Sequence, residues 1–190
     1  MEYLIGTQAP QQRITDPAAA VHALERAIPC LPQHRRPEPA AVDWPLLEEG
    51  LSTRLPADYK LLAALYPTFT LGDFLVLGLP EPGAEQHRLH GIRSDLKIVE
   101  DWWEADMSLG LRPHPAPGGL LPWASSNEGD VFLWTTTSAG PDDWTVTVAS
   151  RNGGWWHYTG GAVQFLAELI DGTLQPWELP PLRLRSPHRP

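Results

Sequence analysis

Residues 120–158 read LLPWASSNEGDVFLWTTTSAGPDDWTVTVASRNGGWWHY, and this stretch decides the fold. It holds four short runs rich in β-branched and aromatic residues, at 120–124, 130–136, 144–149 and 155–158. Between them stand Asn127-Glu128-Gly129, Gly140-Pro141-Asp142-Asp143 and Asn152-Gly153-Gly154, whose residues favour tight turns. Strands joined by such short connections pair antiparallel with their neighbours, so the stretch predicts a meander sheet.

Working outward, 162–170 has the spacing of an amphipathic helix and Gly172 follows as its stop. Upstream, 110–119 is a Pro-rich loop. Before it, 92–107 predicts a helix with Leu96, Val99 and Trp103 turned to the core. Glu100, Asp101 and Glu104 then cover its other side, with Trp102 as an exposed aromatic anchor. The segment 73–79 (DFLVLGL) predicts a strand. Three earlier helices are marked by their starts: Asp16-Pro17, Asp43-Trp44-Pro45, and Leu55-Pro56. Helices, a strand, a helix, a strand run and a closing helix describe an α+β fold, a single antiparallel meander sheet with helices packed on one face.

The chain has 190 residues, which suits one domain, and 42% of them are apolar. Three segments are expected: 1–40, an N-terminal helix and Pro-rich linker; 41–175, the main domain; and 176–190, a flexible Pro/Arg-rich tail. The formal net charge is -9, and the last ten residues hold three Arg and no acid. Phosphate binding relies on clustered Lys and Arg, so a nucleic-acid partner is not expected, whereas a basic protein suits the acidic body. Cys30 is the single cysteine, which excludes an internal disulfide framework. No signal peptide and no apolar run of membrane-spanning length is visible, so a cytoplasmic protein with no membrane contact is expected. The oligomeric expectation is a monomer or weak dimer.

Catalytic and metal-site motifs are sparse. His87 and His90, three apart, are read as part of a solvated loop, because a zinc site needs three or four converging ligands. His157, Asp130 and Asp142 are the residues a hydrolase or metal enzyme would use. Turn chemistry accounts for the acids and strand position for the histidine, so neither catalysis nor a cofactor is expected. The segment Glu100-Asp101-Trp102-Trp103-Glu104-Ala105-Asp106 is more distinctive, as an acidic face for a basic partner.

Trp44, Glu48 or Glu49, and Leu55-Pro56-Ala57-Asp58-Tyr59-Lys60 with Tyr66 resemble the opening motif of the SUKH superfamily. Asp73-Phe74-Leu75, Leu121-Pro122-Trp123-Ala124, Gly129-Asp130, Leu133-Trp134, Pro141 to Val146 and the 165–169 helix resemble its later elements, in order, over roughly 42–174. Pro67 departs from the pattern, since many members carry Gly there. The resemblance implies a SUKH-like fold and a bacterial immunity protein that binds and neutralises a cognate polymorphic toxin, such as a nuclease, by non-covalent occlusion. The alternative it implies is an intracellular scaffold or regulatory module. For the toxin-binding role the expected contact residues are Glu100, Asp101, Trp102, Glu104 and Asp106, with Glu128, Asp130, Asp142 and Asp143 as a second acidic patch.

Overall fold

Proline and aspartate set the first helix starts. Asp16 accepts a hydrogen bond from Ala19 N (2.9 Å) to open α1 (Pro17–Ala27), and Asp43 accepts one from Leu46 N (3.1 Å) to open α2 (Trp44–Leu51). In both, proline stands in the first turn, where its missing N–H costs nothing. The next helix, α3 (Ala57–Leu65), has no side-chain cap of its own residues. It takes one from across the molecule, as Ala57 N donates to Asp142 Oδ1 (2.7 Å).

The computed structural model describes residues 2–182. Its strands are β1 (Tyr3–Gln8), β2 (Phe69–Leu71), β3 (Leu75–Leu77), β4 (Leu120–Ser126), β5 (Val131–Thr135), β6 (Thr145–Ala149) and β7 (Gly154–Tyr158). The remaining helices are α4 (Glu85–Glu104) and α5 (Ala162–Asp171), which ends at a left-handed Gly172 (φ 84°). The fold is α+β, with one sheet of order β1-β7-β6-β5-β4-β3-β2. From β2 to β7 it is the expected antiparallel meander, and β1 adds a single parallel pair at the β7 edge.

Three expectations are corrected. The strand expected at 73–79 is shorter, β3 at 75–77, and forms a hairpin with β2 before it, turning through Gly72 and Asp73, both at positive φ. The helix expected at 92–107 begins seven residues earlier, because nothing but Gly91 interrupts helical spacing after Ala84; His87 and His90 are therefore exposed helix residues. Helices also cover both faces of the sheet. Leu121, Trp123, Phe132, Trp134, Val146, Val148, Trp156 and Tyr158 pack with α1, α2, α3 and α5. The opposite residues Leu120, Val131, Leu133, Ala149 and Trp155 are covered by Leu96, Val99 and Trp102 of α4. Central strands that are apolar at successive positions have two faces to bury, so one helical layer is not enough.

The 1–40 segment shares the core. Ala20, Val21, Leu24, Ile28 and Leu31 are buried in the same cluster as α5 and the sheet. Arg36 N and Ala40 N donate to the carbonyls of Leu65 and Ala64, so the Pro-rich connection is held to the end of α3. Residues 176–182 are also placed on the domain. Trp177 meets Trp156 edge-on at 5.7 Å, Leu179 is buried, and Gly6 leaves room for the Trp177 ring, which a Cβ would approach to 3.3 Å. Residues 183–190 of the expected tail lie outside the described residues.

One cation ties these parts together. The Arg13 guanidinium donates to the carbonyls of Thr159 (2.6 Å), Asp142 (2.9 Å) and Trp144 (2.9 Å), fastening the β1–α1 connection to the end of β7 and the start of β6. Replacing it by an apolar residue of similar length leaves three carbonyls without this donor. Arg13→Met is expected to lower stability by roughly 2–4 kcal/mol and to speed amide exchange in β1, as read by urea unfolding and hydrogen exchange; unchanged stability would remove Arg13 from this role.

Candidate functional site

The acidic stretch sits on the last two turns of α4 and the loop after it. Leu96, Val99 and Trp102, spaced by three, face the sheet, and the Trp102 ring meets Trp155 edge-on at 5.6 Å. Trp103 instead points outward, 38% exposed, with the Arg112 guanidinium 5.4 Å from its ring centre. The two tryptophans therefore exchange the roles expected from sequence. Positions three and four along from Val99 both lie near its face of the helix. Which of them turns inward was decided by Trp155, which offers an aromatic edge to one and not the other.

The expected contact acids differ in what they already hold. Lys97 pairs with Glu100 (3.3 Å) and Asp101 (3.2 Å) on the exposed helix face. Glu104 and Asp106 have no ion-pair partner among the described residues. Glu128 pairs with Arg151 at 2.7 Å. Asp130 is 1% exposed and structural: it accepts from Ser126 Oγ (2.5 Å) and Arg151 N (3.0 Å), stitching the β4–β5 turn to the β6–β7 turn. Asp142 caps α3 through one carboxylate oxygen, and Asp143 is exposed beside it.

Glu128, Asp130, Asp142 and Asp143 do not form one patch. Strand β5 runs between the first pair and the second, so they lie at opposite ends of the sheet. Glu128 belongs with α4 instead: its partner Arg151 lines a cavity of about 110 Å³ together with Trp102, Met107, Ala149, Trp155 and Glu2. Exposed Met107 and Leu109 stand on the loop beside it, where Asp106 (φ 57°) and Leu109 (φ 54°) adopt the left-handed conformation. A second, shallower groove of about 650 Å³ runs between residues 11–16, α1 and α5; its rim mixes Arg13 and Arg26 with Asp16, Glu168 and Asp171 and so favours neither sign of ligand.

The residues considered for catalysis are apart. His157 Nδ1 lies 2.8 Å from Thr147 Oγ1, which in turn lies 2.6 Å from Thr135 Oγ1, and burial pushes the imidazole below its ordinary pKa. No hydrogen bond joins His157, Asp130 and Asp142 to one another among the described residues. Nor do three or more His, Cys, Asp or Glu side chains converge there as a metal site would require. No helix among the described residues is long and apolar enough to cross a membrane.

The residues of the opening motif are engaged in the fold. Glu48 accepts from Leu55 N (2.9 Å) and pairs with Lys60, whose ammonium lies over Trp44, while Trp44 meets Tyr59 edge-on. Asp58 accepts from Tyr59 N (2.7 Å) in its own helix and also from Val163 N (3.3 Å), in the first turn of α5, which has no side-chain cap of its own. That second role joins residues 105 positions apart and leaves no local signal. Burial raises the Asp58 carboxyl above its usual range and nearby Asp142 adds to this, against the two N–H bonds and Arg13. No protein-family model, curated protein or solved structure matches the chain.

Two expectations separate structure from surface here. Asp130→Ala should cost about 2–4 kcal/mol, because it strips the acceptor from buried donors, whereas Asp143→Ala should stay within about 0.5 kcal/mol of the parent; equal effects in urea unfolding would contradict the assignment. For Asp58, a raised native pKa means that its contribution is fully present below the unfolded value and is lost as pH rises through the native one. Going from about pH 3 to about pH 7, Asp58→Asn should therefore gain stability relative to the parent. Thermal unfolding at the two pH values checks this, and a shift the other way would show that the carboxylate is favoured by the fold.

Proposed function

We propose that this chain is a SUKH-type immunity protein, which binds a cognate basic toxin domain and neutralises it by covering its working face. The observation that carries the reading is the end of α4, where the run Glu100, Asp101, Glu104 and Asp106 accompanies an exposed tryptophan, Trp103. Acidic groups speed and orient the approach of a basic surface, and an aromatic ring beside them supplies desolvated contact area. The overall charge of -9 acts in the same direction at long range. Nothing in this role calls for a cofactor or a metal. It does call for a stable scaffold, and the opening motif supplies that: Trp44, Glu48, Tyr59 and Lys60 hold α2 and α3 to each other and leave the α4 end free.

The test is co-expression with the product of the adjacent gene, which this reading expects to be a secreted multidomain protein ending in a toxin domain. The chain is expected to co-purify with that protein's C-terminal domain and to abolish its toxicity. Reversing Glu100, Asp101 and Glu104 to Lys together should slow association by about 10-fold at low salt, with a smaller effect at high salt. A neighbour that is neither bound nor neutralised would overturn the reading.

A further inference from the structure

The first turns of α4, at the opposite end of the helix from the acidic run, line a cavity of about 250 Å³ together with the chain that leaves β3. Leu79, Ala84 and two glycines, Gly78 and Gly91, make the lining mainly apolar, and Arg88 stands between the glycines. A Cβ at Gly78 would come within 2.9 Å of Arg88 Nη1, so glycine there lets the guanidinium lie against the chain. Gly91 is a different case. It stands inside a 20-residue helix, where glycine is unfavourable, and a Cβ there would meet nothing within 4 Å. Neither close packing nor a positive φ calls for glycine at that position. The effect of its missing side chain is to leave the cavity open.

Arg88 has donors to spare. Its Nη2 donates to Trp123 O (3.0 Å), and its Nε is buried with no acceptor. Nη1 makes no hydrogen bond among the described residues and is not shut off from solvent, so its N–H groups remain for a ligand. The one acid in the lining, Glu81, is already engaged: it accepts from Thr68 N (3.3 Å) and pairs with Arg36. Thr68 Oγ1 is likewise held between Leu79 N and Leu79 O. His87, the other titratable side chain of the lining, is exposed and adds no negative charge. Asp95, two turns further along α4, feels the Arg88 charge but stands beyond ion-pair distance and outside the lining. A permanently charged guanidinium with free donors in an apolar cavity favours an anion, in a chain whose net charge is otherwise -9.

We infer that this cavity is a binding site for a small aliphatic monocarboxylate. The carboxylate accepts from Arg88 Nη1, and the hydrocarbon body lies against Leu79 and Ala84 in the space that Gly91 leaves. An apolar cavity of about 150 Å³ takes a benzene ring, so one of about 250 Å³ has room for a chain of about four or five carbons with its carboxylate. A phosphate group calls for several convergent charged donors, and Arg88 is the only cation in the lining apart from what His87 can add. The site is separate from the toxin-facing surface proposed above and does not depend on it.

The probe is sodium pentanoate, titrated into the full chain and followed in NMR by the Arg88 Nε–H and the backbone amides of Gly78 and Gly91. Saturable shifts are expected at all three. Acetate, which lacks the body, and pentanamide, which lacks the charge, should each bind more weakly by about 10-fold or more, and inorganic phosphate should not displace pentanoate. Gly91→Leu puts a good helix former into the open space. It should fold at least as stably as the parent and lose affinity by about 10-fold or more. Arg88→Met should lose affinity as well; it also removes the donor to Trp123 O, so Gly91→Leu keeps the test decisive if Arg88→Met folds poorly. Equal binding of acetate would mark an adventitious ion only and overturn the inference. Equal binding of pentanamide, displacement by phosphate, shifts centred elsewhere, or full affinity in Gly91→Leu would overturn it too, and a Gly91→Leu chain less stable than the parent would show that the space is not open.

Discussion

Phe165 of α5 is the point on which the rest of the molecule bears. Its ring lies within 5.6–6.2 Å of Trp156, Tyr158, Phe132 and Trp123, so one helical residue touches rings from three strands, β7, β5 and β4. Trp123 stacks on Trp134, which meets Tyr59 edge-on at 5.0 Å and Trp144 at 5.8 Å, carrying the same layer to α3 and the 141–144 turn. Aromatic rings bury large area and prefer offset or edge-on geometry, so such a layer has few alternative packings. The indole N–H groups of Trp123, Trp134, Trp144 and Trp156 have no acceptor in this layer. Burial of these rings is the packing constraint that holds α5 and α3 to the sheet.

Around this layer the helix ends are held by groups distant in the chain. Asp58 reaches the start of α5, Asp142 the start of α3, and Arg13 the carbonyls beside both. Each supplies a backbone group that the element's own residues leave unmatched, and each is lost together when α1, α3 and α5 separate. Polar groups that are correct only in the assembled state sharpen the distinction between native and partly folded packings. They also account for acids that in the bare sequence looked available for a partner.

The other face of the sheet has the opposite character. A single helix covers it, and only in part: α4 crosses over Leu120, Val131, Leu133, Ala149 and Trp155. At and past the helix end, Trp103, Met107 and Leu109 are exposed, and Glu104 and Asp106 have no ion-pair partner among the described residues. The densely packed face supplies rigidity, and the thinly covered face presents the surface on which the proposed function rests. This arrangement suits a protein that must hold one shape while offering an adhesive edge.

Local chemistry determined a good deal. Turn residues separated the four strands of 120–158, Asp-Pro pairs opened α1 and α2, and Gly172 closed α5, because each signal acts on its own few residues. Strand β1 (YLIGTQ) was not legible, since it has neither clean alternation nor flanking turns, and it is a strand only because β7 has an open edge beside it. The same limit separates the acids. The run 100–106 was visible as charge, but whether Trp102 or Trp103 faced out, and whether Asp130 or Asp142 remained free, depended on partners 21 to 85 residues away. Sequence alone determined which residues could carry charge and which could form strands. Tertiary structure decided which charges were already spent on buried donors, because that depends on where distant backbone N–H groups come to lie.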